Sequence, residues 1–140
     1  MSLRRAAIPV VLFAAIGVAG YFHVGDAEES AGSGPPIATV NVPDALSAQA
    51  QLGQKTYEAN CVSCHGRNAA GQDGIAPPLV HILYEPGHHD DESFQRAVSR
   101  GVRAHHWRFG DMPPVEGLTR QDVAAIVAYV RELQRANGIQ

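Results

Sequence analysis

The chain's two cysteines stand three residues apart, and a histidine follows the second at once: Cys61-Val62-Ser63-Cys64-His65. No other run constrains the fold as much, because it sets two thiols and an imidazole on one helical turn. Two cysteines cannot build a disulfide framework. The composition, 45% hydrophobic and 18% charged, is that of a folded chain. A net charge of -3 and a pI near 6.1 lack the basic face that nucleic acid requires, so no nucleic-acid partner is expected.

The chain divides into three parts. Met1-Ser2-Leu3-Arg4-Arg5 is a positive start, and Ala6 to Phe22 then carries no charge. Residues 1–24 read as a signal peptide or an N-terminal membrane anchor, with the arginines on the cytoplasmic side. A cleaved signal has an apolar region of about 7–15 residues and an anchor about 18 or more. The run lies between, and His23 and Val24 extend it toward the anchor. Both Val18-Ala19-Gly20 and Gly25-Asp26-Ala27 are imperfect cleavage sites. Anchoring by residues 6–24 is the first expectation, and a soluble periplasmic form after cleavage the alternative. Residues 25–43, with Gly32-Ser33-Gly34-Pro35-Pro36, read as a flexible linker. Residues 44–140 are left to fold, and so short a stretch buries a thin core that needs a staple or a cofactor.

That stretch reads as helices joined by irregular loops. A first helix is predicted from about Asp44 or Ser47 to Cys61. A second spans about Asp91 to Arg100, with Phe94, Ala97 and Val98 on one face. The last opens on a capping box, Thr119-Arg120-Gln121-Asp122, with Leu118 placed to staple onto Val123. Val123, Ile126, Val127 and Val130 form its apolar stripe and Gly138 its stop. No segment alternates as a strand does, so the fold is expected to be all-α.

Several chemistries use closely spaced cysteines. A structural zinc site wants four ligands, and no second cysteine pair exists. A thioredoxin-like pair wants a βαβ setting. A plain disulfide would leave His65 without a role. Covalent attachment of a c-type haem uses all three residues. Cys61 and Cys64 each reach one vinyl group of the porphyrin, and His65 presents a ring nitrogen to the iron as proximal ligand. One haem c, held by three to four helices, is the expected cofactor. For the second axial position, Met112 in Gly110-Asp111-Met112-Pro113-Pro114 is the candidate. A thioether is a soft ligand that raises the potential, and the prolines pre-order its loop. Core filling by Met112, with a histidine as distal ligand, is the alternative.

From about Ala48 to Gly138 the chain resembles class I monohaem cytochromes c of the bacterial periplasmic or membrane-anchored kind. Gly53 and Tyr57 ahead of Cys61 are similar to the family's N-terminal helix, which crosses a C-terminal helix here represented by Ile126 and Tyr129. Ala76-Pro77-Pro78-Leu79 resembles the loop whose proline carbonyl accepts the proximal imidazole N–H. The resemblance thus implies Pro77 as partner of His65 and Leu79 against the haem. Trp107 and Arg108, ahead of the Met112 loop, would meet the haem propionates, simple core filling by Trp107 being the alternative.

Two features depart from that pattern. Lys55 is the single lysine, so a lysine docking ring cannot be carried over. From Gln51 onward, nine basic residues face ten acidic ones, close to balance. The second departure is a histidine excess: His81, His88, His89, His105 and His106. They either line loops over the haem propionates or face solvent, or His88, His89, His105 and His106 converge on a second metal such as copper.

The resulting expectation is an electron carrier and not an enzyme, free or as the electron-transfer subunit of an oxidoreductase complex. It would shuttle between transient redox donors and acceptors on the periplasmic side of the membrane. The alternatives are a haem enzyme or gas sensor with a labile distal Met112, and a periplasmic copper-binding module built on the histidines.

Overall fold

A computed structural model describes residues 34–140. The expected signal or anchor, residues 1–24, lies outside the described residues, as does the start of the expected linker. Among the described residues no helix is long and apolar enough to cross a membrane.

The described residues form four α-helices: α1 (Ala48–Asn60), α2 (Val62–His65), α3 (Asp91–Arg100) and α4 (Arg120–Ala136). Single 3₁₀ turns cover Arg67–Ala69 and Ile82–Tyr84. No strand occurs among the described residues, where pairing is limited to the bridges Gln72–Ala76 and Val102–Met112. The all-α expectation holds.

The three longer helices, α1, α3 and α4, each start where a side chain satisfies a first free N–H group. Ser47 Oγ accepts from Ala50 N–H of α1 at 3.2 Å, and Asp90 Oδ1 accepts from Ser93 N–H of α3 at 2.7 Å. Asp91 and Glu92 then fill the first turn of α3, where the helix dipole favours negative charge. On α4 the capping box is complete, with Asp122 N–H on Thr119 Oγ1 at 3.2 Å and Thr119 N–H on Asp122 Oδ2 at 2.9 Å. α4 closes with Ile139 N–H on Gln134 O and Gly138 N–H on Arg135 O, a Schellman closure at the expected stop. The first helix ends one residue short of its expected limit. Cys61 leaves helical geometry (φ -120°, ψ -29°), so it caps α1 and opens α2.

The core is the crossing of α1 over α4. At Gly53 a Cβ would sit 1.8 Å from Ala125 O, so any side chain there would push the helices apart. Tyr57 packs on Tyr129 with ring centroids 5.6 Å apart. Ala50, Ala69, Val80, Ile126, Val130 and Leu133 complete the cluster; burying an aliphatic side chain such as Leu133 stabilises the fold by roughly 1.5–3 kcal/mol. The whole predicted stripe of α4, Val123, Ile126, Val127 and Val130, is buried.

Residues 25–43, expected as a flexible linker, are tied to the domain over much of their described part. Asp73 N–H bonds Pro35 O at 2.9 Å, and Ala38 N–H bonds Ala70 O at 2.9 Å. Asn41 and Asn137 exchange backbone and side-chain hydrogen bonds, each 2.8 Å long. Contacts with the helical domain therefore reach back at least to Pro35, ahead of Asp44.

Candidate metal centre

The Cys61–His65 turn is held from three directions. Tyr57, buried in the α1–α4 crossing, donates its hydroxyl to Gly66 O at 2.8 Å. Gly71 N–H bonds His65 O at 2.7 Å. Gly71 has φ +73°, and a Cβ there would lie 2.4 Å from Pro78 N, so this return of the chain needs glycine. The third support is Gln72, only 4% exposed. Its amide NH₂ faces the carbonyls of Val62, Ser63 and Cys64 at 3.2, 2.9 and 3.1 Å. Of these, Val62 O also accepts from Gly66 N–H at 2.9 Å; so short a helix cannot satisfy its last carbonyls by itself, and the Gln72 amide adds a shared donor to all three. Gln72 was not singled out in the sequence; the one trace of it there is its place beside Gly71, soon after His65.

On this frame His65 Nδ1–H donates to Pro77 O at 2.9 Å. The bond fixes the tautomer and leaves the Nε2 lone pair free for a ligand. Burial pushes the His65 pKa below its ordinary value, with the Pro77 bond opposing, so at neutral pH the ring is in the ligating form. Cys61 is half-buried and Cys64 exposed, and both thiols are free. Burial, then the neighbouring Cys64, push Cys61 up to about 11. Leu79 is half-buried against the core, its N–H on Ala69 O at 2.9 Å.

Opposite in sequence, residues 101–114 form a looser loop. Val102 and Met112 pair their backbones through two 2.9 Å hydrogen bonds, which sets where the methionine leaves the chain. Asp111 Oδ1 accepts from Ala104 N–H at 2.8 Å. Trp107 stacks on Phe109, centroids 5.6 Å apart and planes 13° from parallel, and meets the edge of His81 at 5.3 Å. Its Nε1–H is buried without a hydrogen-bond partner; Tyr84 is near enough to interact with it but lacks bonding geometry. A buried N–H left unpaired costs about 1–3 kcal/mol, which fits an anionic group arriving from outside the chain. Arg108 is exposed, Met112 half-buried.

A polar hub on α4, also unforeseen, holds residues 79–91. Gln134, 1% exposed, donates to Leu79 O and Tyr84 O at 2.8 and 2.9 Å. Arg131 donates to Tyr84 O and His89 O, each at 2.6 Å, and pairs with Asp91 at 3.0 Å. Of the histidines, His88, His89 and His106 converge, and they are the described group of three or more metal-ligating side chains. His105 stands beside His106, ring centroids 4.2 Å apart, but outside that group. His89 and His106 are held below the usual histidine value, by desolvation first and then by neighbouring imidazoles.

The free thiols, the tautomer-fixed imidazole and the orphaned indole N–H together fit a covalently attached, propionate-bearing porphyrin. Comparison with known proteins agrees. The family described as Cytochrome c matches residues 50–134. The cbb3-type cytochrome c oxidase subunit CcoP of Rubrivivax gelatinosus is 28% identical over 106 residues, covering 74% of this chain and 31% of that protein. The cbb3-type cytochrome c oxidase subunit FixP of Bradyrhizobium sp. (strain ORS 278) is 32% identical over 94 residues, covering 66% of this chain and 30% of that protein. The chain thus matches under a third of the length of these curated relatives.

Proposed function

We propose that this chain, which belongs to the cytochrome c family, is an electron carrier whose single haem is ligated by His65 and Met112. Haem c is covalently bound in this family, and Cys61 and Cys64 are the pair in place to hold it. When bound, it supplies an iron centre that gains and loses one electron. The chain's own residues do the rest. Cys61 and Cys64 keep the group from leaving. His65 offers Nε2, kept in place by Pro77 and made more basic by that bond. Met112 would be the iron's second protein ligand, and its soft thioether would leave no open position for small ligands and raise the potential. Trp107 Nε1–H, buried without a partner in the chain, would donate to a propionate, whose charge Arg108 would offset.

The observation that carries this reading is the His65–Pro77 bond, which turns the free nitrogen of the one histidine adjoining both thiols toward a ligand. The nearly balanced charge of the folded part suits weak, transient docking with redox partners. The likeness to two cbb3-type oxidase subunits favours an acceptor within a respiratory oxidase, with this chain as its electron-delivering subunit or donor. Residues 6–24 would hold the domain at the periplasmic face of the membrane.

The visible spectrum of the purified ferric protein tests this. A methionine-to-iron charge-transfer band, no high-spin signal and no carbon monoxide binding at neutral pH are expected. A high-spin spectrum, or ready binding of carbon monoxide, would overturn the carrier in favour of a haem enzyme or gas sensor. N-terminal sequencing of the mature protein tests the anchor, which a start at Tyr21 or Glu28 would exclude.

A further inference from the structure

We propose that His88, His89 and His106 form a second metal site, separate from Cys61–His65, that takes a tetrahedral, imidazole-seeking divalent cation of the Zn²⁺ class. The three ligand nitrogens all lie within 4.8 Å of one another. His88 Nε2 and His106 Nε2 are 3.4 Å apart. Two nitrogens bound tetrahedrally at a zinc–nitrogen distance of about 2.05 Å stand about 3.35 Å apart. One edge of the ligand triangle therefore already has its metal-bound length. The other edges close by side-chain rotation alone, since His88 and His106 are exposed.

The site has the supports that a metal site needs beyond its ligands. His89 donates Nδ1–H to Leu83 O, which frees Nε2 and orients the ring. The backbone that carries His88 and His89 is fixed by their N–H groups on Glu85 O at 3.1 and 2.8 Å. Arg131 pins His89 O to α4, and that guanidinium is itself paired with Asp91. An all-imidazole donor set suits zinc and its neighbours in the first transition row but not magnesium or calcium, which want oxygen. With three protein ligands the fourth position stays open to water. The ion would tie the turn ahead of α3 to the loop leading to Met112, positions 18 residues apart in sequence.

Calorimetric titration of the haem-loaded protein with Zn²⁺ tests the site. One bound ion per chain is expected, with a raised melting temperature and no comparable heat from Mg²⁺. His88→Ala and His106→Ala should each weaken Zn²⁺ binding by about tenfold or more, while His81→Ala leaves it unchanged. The visible spectrum of every variant should match the parent, so a fault in the haem assignment would read out separately. No heat with Zn²⁺, equal heat with Mg²⁺, or affinity unmoved by both substitutions would overturn the proposal.

Discussion

The stretch from Cys61 to Pro78 and the loop from Gly101 to Pro114, which carry the two proposed iron ligands, are held in opposite ways. The first is settled by the chain itself: Tyr57, Gly71 and the buried Gln72 amide all bond the backbone around Cys61–His65. The second is held mainly by the backbone pair at Val102 and Met112, by Ala104 N–H on Asp111 Oδ1 and by the exposed His88–His106 contact, and it leaves the Trp107 N–H without a partner. The first presents the His65 imidazole in one tautomer. In the proposed carrier the second, which lacks one partner, would be completed by the haem and so would report on it.

Four substitutions sharpen or break that contrast, from the largest effect to the smallest. Gly53→Val forces a branched side chain into Ala125 O and should cost more than about 4 kcal/mol, seen as loss of a cooperative unfolding transition. Gln72→Leu strips the carbonyls of Val62, Ser63 and Cys64 of their shared donor and should cost about 2–3 kcal/mol in denaturant melts. An unchanged midpoint would mean that the proximal turn does not depend on Gln72. Trp107→Phe keeps the ring stack but removes the N–H, and should destabilise the haem-loaded protein by about 1.5–3 kcal/mol if a charged propionate is its partner. Neutrality would leave the indole as core filling.

The smallest effect is a pH dependence at α4. The Thr119 hydroxyl, then its backbone N–H, hold the Asp122 carboxyl below the usual carboxylate range. A depressed carboxylate stabilises the fold above its unfolded pKa and loses that contribution as pH falls through the folded value. Melting temperature should therefore fall in acid, and Asp122→Asn should flatten that fall. An equally steep fall in the variant would remove the capping box from the account.

Local chemistry was legible in the sequence and tertiary polar chemistry was not. The bounds of α3 and α4, the capping box at Thr119 and the close approach at Gly53 follow from periodicity, caps and the family resemblance, and His65 does meet Pro77. Gln72, Arg131 and Gln134 read as ordinary polar residues, because their worth lies in backbone carbonyls that only the folded chain brings to them. Residues 35–41 look like free linker in composition, yet Ala70 and Asn137 supply the partners that order them. The histidine excess was visible, but which three converge depended on the turn at Glu85 and the loop before Met112.

The most direct test of the whole account is the reduction potential of the haem-loaded protein against that of Met112→Ala. If Met112 is the distal ligand, the variant loses its soft sulfur donor, so its potential falls and its iron becomes high-spin and open to carbon monoxide. An unchanged potential and spectrum would contradict the His65–Met112 ligation on which the proposed electron transfer rests.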